Sequence, residues 1–133
     1  DWSEEFKEDY LLERYNVPPG ALRNKISTAD WLLYGSSELS KLLGFMGKVN
    51  GINKVRLRVK NGIKSELVPL VKIRGIGRVR ARKLFNAGLK NVRALRSAGE
   101  IELSRILGSL KVAQSVKKQV GHKRMTEADF ENF

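Results

Sequence analysis

The stretch IRGIGRVRARKLFNAG, residues 73–88, constrains this chain most. It places three glycines, four arginines and one lysine among Ile, Val, Ala, Leu and Phe in sixteen residues. Gly75-Ile76-Gly77 predicts a tight turn, because glycine reaches conformations closed to other residues and has no Cβ to block close approach. Ile76 is positioned to bury and hold that turn. The amides around Gly75 and Gly77, at the start of a helix, form an anion-binding concavity. Lys72 and Arg74 stand just before the turn, and Arg78, Arg80, Arg82 and Lys83 fill the first turns of the helix after it. Cations at a helix N-terminus oppose its dipole by about 0.3–1 kcal/mol each, so this cluster serves something other than stability. Phosphate accounts for it: each contact neutralises one charge and releases counterions. Such contacts position a backbone without reading bases.

The turn and its second helix, GIGRVRARKLFNAG, match a helix-hairpin-helix motif, with Ala81 and Leu84 where two helices pack. Positions 78 and 82 share a helix face, while 80 lies about 160° away. Arg78 and Arg82 therefore share one face of the helix, and Arg80 stands on another. A faint repeat reinforces the assignment. Residues 106–121, ILGSLKVAQSVKKQVG, align with 73–88 and share Ile, Gly, Val and the final Gly. The second copy has lost a glycine and most of its arginines, so it is read as a structural partner of the first.

Charge points the same way. Residues 71–118 carry thirteen bases against two acids, within a chain of net charge +12, and residues 1–16 are acidic. A basic block between less basic ends implies a polyanion, here nucleic acid. The chain has no cysteine and one histidine, His122, which argues against a disulfide framework and a conventional zinc site. No apolar run approaches the roughly 20 residues of a membrane span, and no signal peptide is visible, so a soluble intracellular setting is expected. The chain opens at Asp1 and not at methionine, which suggests a piece of a longer polypeptide.

The rest reads as helix. Ser3 before Glu4-Glu5 resembles an N-cap, and Phe6, Tyr10 and Leu11 give a stripe. Val17-Pro18-Pro19-Gly20 breaks it. A longer helix is predicted from about Ala21 to Leu43, with Leu22, Ile26, Ala29 and Leu33 at helical spacing. Gly44 to Gly51 reads as a break. NKVRLRVK, 53–60, alternates like a strand, yet Ile52, Val55 and Val59 fit a helix, which is preferred. Pro69 belongs in an opening turn near Ser65, and Gly88 should stop the second hairpin helix. Further helices are expected at about 91–98, 100–107 and 111–120. The fold class is all-α: a long-helix region at 1–62, a small helix-hairpin-helix domain at 63–121 with a degenerate second copy, and an acidic, aromatic tail at 122–133.

Together, ELVPLVKIRGIGRVRARKLFNAGLKN and ERYNVPPGALRNKISTADWLLYG resemble the C-terminal part of the archaeal Ski2-like, superfamily 2 DNA-repair helicases, relatives of the helicase portion of theta-type DNA polymerase. The resemblance covers about residues 1–121. It implies that the long helix is a ratchet helix lying across a translocating strand, with Trp31 stacking on a base. The residues alone leave a core role for Trp31 open, since Ala29 and Leu33 are core-like. Where the family pattern places an arginine, this chain has Asn24, flanked by Arg23 and Lys25. The resemblance also implies a 3′-to-5′, ATP-dependent parent helicase acting in replication-fork repair and recombination, bound to single-stranded and forked DNA in the cytoplasm, at the nucleoid. The hairpin domain would bind the emerging strand and restrain the motor, a role the resemblance gives to Arg78, Arg80 and Arg82, with Arg78 and Arg82 as the expected contacting pair and Arg80 as the expected interdomain contact.

This chain has no phosphate loop, no paired acids for magnesium-ATP and no arginine finger. ATP and magnesium therefore belong to the N-terminal motor domains, and the chain needs no cofactor of its own. A glycosylase would need a Gly-Pro-Asp-type loop after the hairpin, and a nuclease clustered acids; the basic block offers only Glu100 and Glu102. The alternative reading is a standalone hairpin module or protein-interaction adaptor of a repair complex. The tail, with Phe130 and Phe133, is a candidate sliding-clamp peptide, although the usual spacing is not met.

Overall fold

The computed structural model describes residues 1–121. Among them every regular element is helical, and the chain divides into two compact units, Asp1–Ser65 and the part from Glu66 onward.

The first unit opens with a 3-10 turn, Trp2–Glu4, then α1 (Glu8–Tyr15), α2 (Pro19–Leu42) and α3 (Met46–Asn61). Pro19 starts α2, where a missing N–H costs nothing. Its 24 residues span about 36 Å at 1.5 Å each. Gly44, at φ 78°, turns the chain back, and α3 packs along α2. The α2 stripe faces inward as its spacing predicts: Leu22, Ile26, Ala29 and Leu33 are half-buried and Ser37 is buried.

Three expectations are corrected here. Ser3 caps no helix: the 3-10 turn closes at Glu5 in the left-handed region, and α1 begins only after Lys7. A tertiary anchor overrides the capping pattern, since Trp2 Nε1 donates to Val59 O at 2.6 Å. The glycine-rich break is confined to residues 43–45, because α3 runs through Gly47 and Gly51. Each helical glycine costs about 1 kcal/mol, which burial of Val49 and the packing of α3 on α2 offset. Finally, 53–60 is helical as preferred, but Val55 is exposed; the inward positions are Val49, Ile52, Arg56 and Val59.

A 3-10 turn, Ser65–Leu67, passes from the first unit into the second and leads into the one-turn α4 (Val68–Val71) with Pro69 in its first turn. α5 (Arg78–Asn86), α6 (Val92–Ser97), α7 (Glu100–Leu107) and α8 (Leu110–Gly121) follow. Leu67, Leu70, Ala81, Leu84, Leu95, Leu103, Ala113, Val116 and Val120 are fully buried. α4 packs on α5, α5 on α7, α6 on α8, and α7 on α8. Gly75 and Gly108, aligned with each other in the sequence, both take positive φ, 87° and 72°. Gly88, at φ 87°, ends α5 in a Schellman arrangement, with Leu89 N–H bonded to Leu84 O at 2.9 Å and Gly88 N–H to Phe85 O at 3.0 Å.

Two cations of the basic block are committed to the fold. Lys117 Nζ donates to Arg96 O at 2.8 Å and Ala98 O at 2.6 Å, capping the carbonyl end of α6. Arg96 Nε returns a bond to Val120 O at 2.8 Å, at the end of α8. Both satisfy helix carbonyls that lack intrahelical donors. Lys117→Met keeps the apolar stem but removes the charged donor, and is expected to destabilise this unit by about 1.5–3 kcal/mol. Urea denaturation followed by far-UV circular dichroism would measure it. An unchanged midpoint would remove Lys117 from the stabilising contacts.

Candidate nucleic-acid interface

The expected site residues fall into two groups, one in each unit. The hairpin group is drawn together by the turn between α4 and α5. Ile73 and Ile76 are buried at 1% and 4% exposure and anchor both limbs of the turn. Gly75 requires its glycine, at φ 87°. Gly77 does not: its φ of −91° and ψ of −171° are ordinary extended values, and a Cβ built there meets nothing within 4 Å. Only one of the two glycines is thus demanded by backbone conformation. The first helical bond of α5 runs from Ala81 N–H to Gly77 O at 2.9 Å, so the amides of the preceding turn lie at its open end.

α8 clamps the turn through Gln119. The Gln119 side chain accepts from Arg74 N–H at 3.0 Å and donates to Arg74 O at 3.1 Å. Two amides of the expected anion concavity are therefore engaged within the protein, Arg74 N–H here and Ile76 N–H on Ile73 O at 3.1 Å. Val112 Cγ1 lies 3.8 Å from where a Gly75 Cβ would stand. Gln119 was not singled out by its sequence, although it lies in 106–121, the segment aligned with 73–88.

The cations divide by role. Arg74 and Lys83 have exposed side chains. Lys72, Arg78, Arg80 and Arg82 are half-buried. Arg80 Nη1 folds back to donate to Gly75 O at 2.9 Å, bracing the turn. Arg82 Nη2 pairs with Glu66 Oε1 at 2.7 Å, with side-chain exposures of 28% and 42%. Its guanidinium also lies over the Phe85 ring, 5.2 Å from the centroid, and Lys90 Nζ approaches the same ring at 5.0 Å. Val79, between Arg78 and Arg80, is exposed at 64%.

In the first unit Arg23, Asn24 and Trp31 lie on α2. Trp31 is 72% exposed. By helical geometry it points about 140–200° away from Leu22, Ile26, Ala29 and Leu33, so it is not a core tryptophan of this unit. Asn24 shares its face, two turns earlier and about 20° round; Arg23 is displaced by about 80°. All three side chains are exposed.

Beside Trp31 stands a polar lock that sequence reasoning missed. Arg56 of α3 donates to both carboxylate oxygens of Asp30, Nε to Oδ1 at 2.7 Å and Nη2 to Oδ2 at 3.3 Å. This hydrogen-bonded pairing raises the Arg56 pKa above its ordinary value, so the guanidinium stays charged at any working pH. The same guanidinium lies 4.9 Å from the Tyr34 ring centroid. No grouping of three or more metal-ligating side chains occurs among the described residues. No helix among them is long and apolar enough to cross a membrane.

Comparison with known proteins agrees with the family resemblance in the sequence. Residues 1–62 match the family model described as archaeal helicase, domain 4. An ATP-dependent DNA helicase Hel308 of Pyrococcus abyssi is 41% identical over 122 residues, covering 90% of this chain and 17% of the relative. The protein of the same name from Caldivirga maquilingensis is also 41% identical, over 90% of the chain and 16% of the relative. That from Methanocaldococcus jannaschii is 35% identical, over 92% of the chain and 10% of the relative. The chain thus spans less than a fifth of the length of these curated relatives. It is homologous over nearly its whole length to a segment of the archaeal Hel308 helicases, and its residues 1–62 correspond to archaeal helicase domain 4.

Proposed function

We propose that this chain is the strand-gripping and motor-restraining part of an ATP-dependent, 3′-to-5′ DNA helicase that acts on single-stranded and forked DNA in repair and recombination. The observation that carries the reading is Trp31, a large aromatic 72% exposed on the outer face of a 24-residue helix. Nothing in the packing of α2 on α3 calls for an outward indole, and a stacking role for a base does. In this reading α2 is the ratchet helix, with Arg23 and Asn24 bonding the sugar-phosphate backbone beside Trp31. The exposed Leu39, Leu42, Leu43, Phe45 and Met46, where α2 passes into α3, support contact with the N-terminal motor domains. Those domains supply ATP, magnesium and hydrolysis.

The second unit acts as the helix-hairpin-helix module. Arg74, Gly75, Gly77 and Lys83 form its open side and Arg78, Arg82 and Lys72 its flank. The absence of any neighbour around a Gly77 Cβ supports a partner outside the chain as the reason for that glycine. The Arg82–Glu66 pair is half-exposed, so a phosphate oxygen can replace the carboxylate with little desolvation cost. Arg80, bonded to the turn, is assigned to holding the hairpin against the rest of the helicase. A sliding-clamp contact through 122–133 falls outside the described residues.

Titration with oligothymidine tests this reading. Tryptophan emission is expected to be quenched, and Trp31→Phe to remove the DNA-dependent part. Arg78→Ala with Arg82→Ala is expected to weaken binding equally for all sequences. It should also flatten the log–log salt dependence by about 1.4, at about 0.7 for each single-strand phosphate that is no longer neutralised. A slope unchanged by the double substitution would reject the hairpin assignment.

A further inference from the structure

Tyr34 makes no hydrogen bond through its hydroxyl among the described residues and is 46% exposed, one helical turn beyond Trp31. A tyrosine kept for packing buries its ring, and a tyrosine kept for polarity bonds its hydroxyl; this one does neither fully. Instead its ring is held in place from one side. Arg56 reaches across from α3, lies 4.9 Å from the ring centroid, and is itself fixed by two hydrogen bonds to Asp30. With its charge matched by Asp30, Arg56 is poorly suited to gripping phosphate, and its evident use is to orient the ring. Positions 31 and 34 are helix-surface neighbours, with Cβ atoms about 5–6 Å apart. α2 therefore offers two exposed aromatic side chains in succession, the arrangement on which consecutive bases of a single strand stack without regard to sequence.

We propose that Tyr34 is a second stacking platform for single-stranded nucleic acid, taking the base next to the one on Trp31, with Asp30 and Arg56 as positioning residues that set its ring. The assignment extends the reading of α2 given above and rests on it. Stacking, unlike hydrogen bonding, survives loss of the hydroxyl, so Tyr34→Phe retains binding and Tyr34→Leu loses it.

The test uses the whole 133-residue chain with tyrosine-ring-labelled protein and an oligothymidine of about a dozen nucleotides, within the 4–16 nucleotide range of such sites. Nuclear magnetic resonance is expected to show the Tyr34 ring protons moving upfield at saturation, as a stacked base shields them, while Tyr10 and Tyr15 stay in place. Tyr34→Leu should weaken binding by at least about fivefold, the low end for one stacked base. Tyr34→Phe should bind within about twofold of wild type, well below that loss. Trp31 quenching with stationary Tyr34 ring signals would overturn the second platform and leave the first. Moving Tyr34 signals without Trp31 quenching would keep Tyr34 and remove Trp31. The ring shifts are read in the unsubstituted chain, so any effect of Tyr34→Leu on folding does not obscure the result.

Discussion

Gly62→Ala is expected to destabilise the Asp1–Ser65 unit by about 2–5 kcal/mol. Two costs coincide there. Gly62 ends α3 at φ 63°, a conformation that costs a residue with a Cβ about 1–2 kcal/mol. An added Cβ would also stand 2.5 Å from Cε2 and 2.7 Å from Cζ2 of Trp2. The indole cannot swing aside freely, since its Nε1–H is bonded to Val59 O at 2.6 Å. Relieving such a clash costs about 1–3 kcal/mol more. Both tryptophans, Trp2 and Trp31, belong to this unit. Urea denaturation followed by tryptophan emission therefore reports it alone. Gly47→Ala is the control within the same unit, a helical glycine with open space at its Cβ; it is expected to leave stability unchanged or raise it by up to about 1 kcal/mol. Equal effects from the two substitutions would contradict the assigned roles of Trp2 and Gly62.

Trp31→Ala should do the reverse, sparing the fold and damaging binding. A buried tryptophan cut to alanine loses about 3–5 kcal/mol. At 72% exposure Trp31 has little burial to lose, and alanine is the best helix former, so the unit's stability should stay within about 0.5 kcal/mol of wild type. Affinity for oligothymidine, measured by fluorescence anisotropy at about 100 mM salt, within the range where phosphate contacts are screened but still measurable, should fall about 5- to 150-fold. That range corresponds to about 1–3 kcal/mol for one stacked base. Unchanged affinity would sink the stacking role, and a large loss of stability would return Trp31 to the core.

Much of this was legible in the chain because it is local. The proline pair at 18–19 and the spacing of Leu22, Ile26, Ala29 and Leu33 set the start and inner face of α2. That same spacing already places Trp31 opposite the stripe, and counting residues from Leu33 would have weakened the core alternative. The end of α5 at Gly88 was equally readable, since a left-handed glycine after a helix satisfies its last carbonyls. The 3-10 start at Trp2–Glu4 was not: its anchor, Val59, lies 57 residues away. The continuity of α3 through Gly47 and Gly51 was hidden for a related reason. Helix propensity is a weak term that burial against a neighbour overrides.

The candidate interface divides along the same line. Sequence alone determined that this chain is helical, that its positive charge concentrates around one glycine turn, and that Trp31 stands on a long helix opposite its apolar stripe, because spacing and charge are properties of contiguous residues. Only the tertiary structure decided how those charges are employed. It gave Arg82 to Glu66, Arg80 to the turn carbonyl and Lys117 to the end of α6, clamped Arg74 with Gln119, and set Arg56 between Asp30 and Tyr34. Each of those pairings depends on which distant side chain folding brings within about 3–5 Å, the range over which hydrogen bonds and ring contacts act, and no local pattern encodes that distance.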